Sequence, residues 1–375
     1  MEHIPDLLNR RIFMQTIDQR NNLPAAKRTQ SSVVEELTGL LKTMAQDDLD
    51  DLDEMSTLRS TFLLSQQDLC GAIGKTPQAI SKYASSKGVS TEKINSKNRG
   101  YTNKGVRTIL ESFGFIYPSN TIAFQMLKGG STKTIALVHL AVRLCHYGSR
   151  VCVIDLDPQG NASEALSVDT TEKPIFYDII TGNATVEDSI VNVSEGLDII
   201  PSDFGNSGLD HFITSKQRNL ATFVKVVVDK IKDQYDFILI DCNPSLSHIN
   251  TSIALSSDYL IIPVNPNKFS YNGLTQTLKE LLRINTEFNS AIDFKLLYTL
   301  FKERDNLSQK YLIKYGKNLK SKLISSIIKE NTDVKKAIDE NKFIFDKPKA
   351  LSRQDFDLLA QEVLELNKYF ANNLH

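Results

Sequence analysis

From Thr121 onward the hydrophobic positions fall into two alternating textures. Short β-branched and aromatic runs stand at Ile122–Leu127, Val151–Asp155, Leu197–Pro201, Phe237–Asp241, Tyr259–Val264 and Phe294–Leu300, separated by amphipathic stretches of helix length. Such runs read as strands buried on both faces. Their alternation with helices predicts an α/β fold, a parallel sheet flanked by helices, with ligands at the carboxyl ends of the strands. Residues 1–54 have another texture: Leu7, Leu8, Ile12 and Val33, Val34, Leu37, Leu40, Leu41 give interrupted helical spacing, too sparse for a core. They are expected to form a helical dimerisation arm closed by an acidic linker. Residues 55–118 make a second region, and a boundary near Tyr117–Asn120 separates it from the α/β region, 119–375.

Composition adds limits. The 375 residues are 41% hydrophobic and 24% charged with a net charge of −1, so the whole chain is no polycation, and any nucleic-acid contact must come from local patches. Two patches exist. From Met55 to Leu110 nine Lys and Arg face two acids, a net of +7; from Lys302 to Lys329 eight face two, a net of +6. Blocks of this kind are the electrostatic footprint of phosphate binding. The four cysteines are scattered, with no paired spacing, which argues against a disulfide framework or zinc site and fits a reduced cytoplasm. The first residues lack the apolar stretch of a signal peptide, and no apolar run approaches the roughly 18 residues of a membrane span.

The predicted strand at Ile122 runs into Lys128-Gly129-Gly130-Ser131-Thr132-Lys133-Thr134, and a helical stretch follows. Strand, glycine loop and helix in that order form a phosphate cradle: backbone N–H groups and the helix N-terminus face the anion. Lys133 is expected to reach the terminal phosphates and the Thr134 hydroxyl to meet Mg²⁺. The general pattern G-x-x-x-x-G-K-[ST] is broken, because Leu127 and Thr132 occupy its glycine positions. What remains is K-G-G-x-x-K-[ST], with an extra lysine, Lys128, at the start. Downstream, Val151–Asp155 delivers Asp155 and then Asp157 before a proline. Phe237–Asp241 is four apolar residues ending in an acid. In phosphoryl transfer the protein mainly positions a water and neutralises charge. A carboxylate of the pair Asp155 and Asp157 is the candidate for the water, and Thr134, Asp155 and Asp241 are the candidates for Mg²⁺.

As a set, Lys128–Thr134, Asp155-Leu156-Asp157-Pro158-Gln159-Gly160-Asn161 and Asp241-Cys242-Asn243-Pro244-Ser245 resemble the deviant Walker A, A′ and B motifs of ParA/MinD-type ATPases, over residues ~120–350. The resemblance implies an ATP-dependent homodimer in which Lys128 crosses to the partner's phosphates, with Asp157 as the hydrolytic acid and ATP/ADP and Mg²⁺ as cofactors. Thr132, in place of the usual glycine, puts the hydrolysis rate in question more than binding.

Leu64–Tyr83 shows two helix-length pieces joined at Gly74, with Thr76 as a cap and Pro77 in the following first turn. This is the pattern of a helix-turn-helix, with Gln78, Ser81 and Lys82 expected in the major groove. The stretch from Lys97 through Arg99 and Lys104 to Arg107 is expected to form a basic wing on phosphates. An N-terminal winged helix-turn-helix distinguishes the longer, type Ia plasmid ParA proteins, in which it binds the partition operator. The resemblance further implies non-specific DNA contacts from the second basic patch, Arg304, Lys310, Lys314 and Lys317, and a ParB-type partner that stimulates hydrolysis. The expected protein is a cytoplasmic, nucleoid-associated partition ATPase and autorepressor. The alternatives are a repressor whose ATP site is only a sensor, and a MinD-like membrane ATPase. The net-acidic segment Asp355–Tyr369 argues against the latter, and an iron–sulfur reductase of this fold lacks placed cysteines.

Overall fold

The computed structural model describes residue 39 and residues 61–375, apart from 95–97, 128–131, 172, 341, 348–349 and 373–375. The expected arm and acidic linker lie outside the described residues save Gly39, as do Lys97 and Lys128–Ser131. Thr57–His375 forms one unit.

Its first elements make a small module. Strand β1 (Leu64–Ser65) leads into α1 (Gln66–Ile73), where the Ser65 hydroxyl accepts the Asp68 N–H at 3.0 Å. Gly74, at φ 65°, ends this helix in the left-handed conformation that glycine adopts without strain. Thr76 then caps α2 (Pro77–Ser86), accepting from the Ala79 N–H. Strands β2 (Glu92–Lys93) and β3 (Arg99–Tyr101) form an antiparallel hairpin, with β3 also paired to β1. Helix α3 (Asn103–Ser112) follows. The hairpin is therefore shorter than the basic wing read from the sequence: Lys104 and Arg107 lie on α3. Charge counting treats every cation as facing solvent, whereas Arg107 pairs with Asp236 at 2.6 Å and lies over the Tyr117 ring.

The main sheet has eight strands in the order β11-β10-β9-β4-β8-β5-β7-β6. They are β4 (Asn120–Phe124), β5 (Val151–Asp155), β6 (Val191–Ser194), β7 (Leu197–Ile200), β8 (Phe237–Asp241), β9 (Tyr259–Val264), β10 (Asp293–Phe301) and β11 (Leu323–Lys329). All pairs are parallel except β6–β7. The central strands are buried along their length, which is why they read as continuous apolar runs. Strand β4 stops at Phe124, three residues before its predicted end. Two edge strands, β6 and β11, are additional to the six expected.

The later helices include α4 (Lys133–His146), α5 (His248–Leu255), α6 (Lys268–Glu287), α7 (Asn306–Leu319), α8 (Thr332–Asp339), α9 (Leu351–Val363) and α10 (Leu366–Asn372). Nearly every residue of α4 from Ala136 on is buried, the signature of an interior helix. Helix α9 packs on both α4 and β11. Two of its acidic residues, counted in the sequence only as net negative charge, turn to protein. Glu362 accepts the Ser325 and Ser326 N–H groups at 2.8 and 3.0 Å, and Asp355 accepts that of Lys329 at 2.9 Å. These carboxylates close the otherwise open edge of β11. No helix among the described residues is long and apolar enough to cross a membrane.

Arg143, 1% exposed on α4, joins the module to the rest. It donates to Asp68 of α1 at 3.1 Å and to Asp357 of α9 at 2.7 Å, while Arg353 also pairs with Asp68. Tyr147 donates to Asp357 and Gln361 to Tyr147, completing the cluster. Burial would raise the Asp68 carboxyl pKa, but Arg143 and Arg353 overcome it and hold the group below its ordinary range. Arg143→Ala leaves two carboxylates with too little positive charge. It is expected to destabilise the chain by about 3–5 kcal/mol, read as a lower urea midpoint at unchanged m-value.

Candidate nucleotide-binding site

The site follows from strand register. Phe124 of β4 and Asp155 of β5 both stand opposite Asp241 of β8, so three neighbouring strands end level with one another. The sheet's connections diverge on either side of β4, and that divergence opens a crevice at the carboxyl edge. Helix α4 starts there, directing its first N–H groups and positive dipole end into the crevice.

Lys133 is the first residue of α4 and only 7% exposed, yet it makes no hydrogen bond or ion pair among the described residues. A lysine ammonium in that position is short of a partner, and phosphate oxygens supply one. Thr134 donates its hydroxyl to Asp241 Oδ2 at 2.6 Å. The other oxygen, Oδ1, is buried without a hydrogen-bond partner among the described residues. Burial raises the Asp241 carboxyl pKa and the nearby Asp155 carboxylate adds to the rise, while Thr134 and Lys133 act against it. An orphaned carboxylate oxygen beside a threonine hydroxyl fits a hard cation or its bound water. Mg²⁺ typically takes only one or two protein oxygens and completes its shell with phosphate and water.

Asp155, expected at the metal, also holds the neighbouring turn. Its Oδ1 accepts the Asp157 N–H at 3.2 Å, and its Oδ2 accepts the Ser163 N–H and hydroxyl at 3.0 and 2.8 Å. It shapes the turn that presents Asp157. Sequence spacing cannot separate the two roles, since a strand-end acid suits either. Asp157 is nearly buried; its Oδ1 accepts the Gln159 N–H at 3.1 Å and its carbonyl accepts the Ser202 hydroxyl at 2.7 Å. Ser163 in turn accepts the Ser202 N–H, and Asn206 donates to Ser202. Gly160, at φ 64°, lets this turn close, because a Cβ there would lie 2.7 Å from the Ser202 carbonyl oxygen.

Sequence reasoning missed Ser163, Ser202 and Asn206. It also missed Asn250 of α5, which donates to the Asn243 and Ser245 carbonyls at 3.0 and 2.6 Å and so fixes the loop after Asp241. Only Ser163 left a signal, standing two residues past the run Asp155–Asn161. Ser202 and Asn206 reach the site from a distant segment, and Asn250 from the helix that follows the loop it fixes. Thr132 adopts φ 60°, ψ 19° and caps α4 without a side-chain cap bond.

The sites expected on DNA are dispersed. Gln78, Ser81 and Lys82 are exposed together on α2, and Gln66 donates to Ser81 at 2.7 Å. Arg99 on β3 is exposed and donates to the Thr91 hydroxyl at 2.6 Å. Arg304 and, on α7, Lys310, Lys314 and Lys317 are all exposed. Lys314 lies over the Tyr271 ring at 3.3 Å. Elsewhere in this patch Lys302 pairs with Glu330 and Lys329 with Glu303. Arg304, Lys310 and Lys317 make no ion pair among the described residues.

Comparison with known proteins bears on the same region. The model of a family described as an AAA domain matches residues 119–294. The sporulation initiation inhibitor protein Soj of Bacillus subtilis is 30% identical over 247 residues, covering 64% of this chain and 97% of Soj. The chromosome partitioning protein ParA of Caulobacter vibrioides is 28% identical over 253 residues, covering 66% of this chain and 94% of that protein. Among solved structures, a putative plasmid partition protein from Borrelia burgdorferi bound to AMPPNP superposes with a TM-score of 0.54 at 23% identity, covering 66% of this chain and 99% of that one. The first two likenesses extend over nearly the whole of each relative, and with the crevice described above they make this chain a member of the ParA/Soj family of ParA/MinD-type ATPases.

Proposed function

We propose that the chain is a DNA-partition ATPase that binds ATP in the β4–α4 crevice, dimerises over it, and holds DNA in that state. The observation that carries the reading is the convergence of Lys133, Thr134, Asp157 and Asp241 at the level ends of β4, β5 and β8. Lys133 and the first N–H groups of α4 take the phosphates. Thr134 and Asp241 hold Mg²⁺, which when bound supplies charge neutralisation on the phosphate oxygens. Asp157 orients the attacking water and accepts its proton. Lys128 serves the second copy of the dimer, as the family's motif implies. The carboxyl-edge loops after β7 and β8 carry the exposed Phe204 and Leu246, apolar surface suited to a facing copy. Dimerisation is tested by light scattering: the mass doubles with ATP and stays monomeric with ADP at the same concentration. A mass that does not change with ATP contradicts it.

In this reading the module of α1, α2 and the β2–β3 hairpin is a winged helix-turn-helix for the operator, presenting Gln78, Ser81 and Lys82. Arg304, Lys310 and Lys317 make the sequence-independent contacts, and a ParB-type partner stimulates turnover. Lys310→Ala and Lys317→Ala are each expected to weaken ATP-dependent binding to random duplex. Each also lowers the slope of log K against log salt by about 0.9. An unchanged slope in both variants removes α7 from the DNA surface.

A further inference from the structure

Position 132 is one of the two glycine positions of the general phosphate-loop pattern, and here it is threonine. Its backbone stands at φ 60°, ψ 19°. A β-branched residue is strained in the left-handed region, where Cβ crowds the backbone. Such a conformation persists only where surrounding groups over-determine it. One of those groups is Thr299. The Thr132 hydroxyl donates to Thr299 Oγ1 at 3.0 Å, and the Thr299 hydroxyl donates onward to Asn265 Oδ1 at 2.6 Å.

Thr299 lies on β10 and is 1% exposed. Its neighbours in the run Leu296-Leu297-Tyr298-Thr299-Leu300-Phe301 are otherwise aliphatic or aromatic, so a buried aliphatic hydroxyl there needs a reason. Asn265, just past the end of β9, is fixed in turn: its N–H meets Ser270 Oγ at 2.8 Å and its carbonyl accepts from Tyr315 at 3.4 Å. The hydroxyl chain thus runs from the strand ends of the sheet to the turn that starts α4.

We propose that Thr299 is a positioning residue for the phosphate loop, latching Thr132 in the left-handed turn that glycine adopts unaided. The inference rests on reading Lys128–Thr134 as that loop. The turn at Thr132 sets the direction of the Lys133 and Thr134 N–H groups, which phosphate would accept from. Loosening the latch therefore misdirects them without removing any group that touches nucleotide.

The test is a double-mutant cycle of Thr299→Val and Thr132→Gly, read by titration with a fluorescent ADP analogue and by melting without nucleotide. In the Thr132 background, Thr299→Val is expected to weaken ADP about tenfold, the scale of one strained residue. It also lowers the melting temperature. Thr299→Ser, which keeps the hydroxyl, restores both. In the Thr132→Gly background, whatever its own affinity, adding Thr299→Val changes binding by less than about twofold. Equal losses in both backgrounds, or none in either, overturn the latch. If the unmodified protein binds no ADP, the nucleotide reading fails, and the melting cycle still decides whether Thr299 matters only when residue 132 is threonine.

Discussion

Lys133→Ala is expected to lose ATP and ADP affinity by at least about thirtyfold, since truncating one member of a buried charged contact costs about 2–5 kcal/mol. Lys133 is buried without an ion pair among the described residues, so its charge is available to a ligand. The unliganded variant should accordingly melt at or above the temperature of the unmodified protein. Calorimetric titration with ADP, alongside a melt without nucleotide, reads both. A variant that binds normally, or that loses binding only because it unfolds, refutes the assignment. Removing Lys133 also takes away one of the two groups that act against the raised Asp241 carboxyl pKa, so protonation of that acid becomes easier still.

Asp157→Ala is expected to keep nucleotide and to lose at least about a hundredfold in hydrolysis, the usual scale for a positioned acid–base group. On DNA it should remain ATP-bound, because the step that ends the bound state is missing. The carboxylate also accepts the Gln159 N–H, and alanine removes that bond as well. Asp157→Asn separates the effects: it keeps an acceptor oxygen for Gln159 but not the basic charge. If hydrolysis falls equally in both variants, charge is what the reaction needs. Phosphate release at the unmodified rate in Asp157→Ala would mean the water is oriented by another group.

Much of this site was legible because burial on both faces leaves a plain trace. Strands β5 and β8 are apolar runs of four residues and β4 carries three after Asn120 and Thr121, and in β5 and β8 the first charge marks the carboxyl edge. Strand β11 was hidden by Ser325 and Ser326 in its middle. Their polarity is tolerated because Glu362, far along the chain, accepts both N–H groups and the Ser326 hydroxyl. Strand β6 was hidden for a different reason: Val191-Asn192-Val193-Ser194 alternates, but a run of four residues at a half-exposed edge is too short to stand out from a loop. The role of Asp155 depends on Ser163, eight residues on, and that of Arg107 on Asp236. Charge counts see the ion but not its partner. Thr132 stood out in the sequence as a departure from pattern, while its hydroxyl partner, 167 residues away, carried no local signal.

In the proposed function nucleotide state controls DNA affinity, and by linkage DNA must then bias nucleotide affinity. The most direct measurement titrates two duplexes, one of random sequence and one from the region upstream of the coding sequence. Each is titrated at one fixed salt concentration with no nucleotide, with ADP and with ATP. Tight random-sequence binding is expected only with ATP, and upstream-specific binding is expected to be favoured by ADP. Upstream binding alone, with no ATP-dependent affinity for random duplex, would contradict the proposed function and leave a nucleotide-sensing repressor.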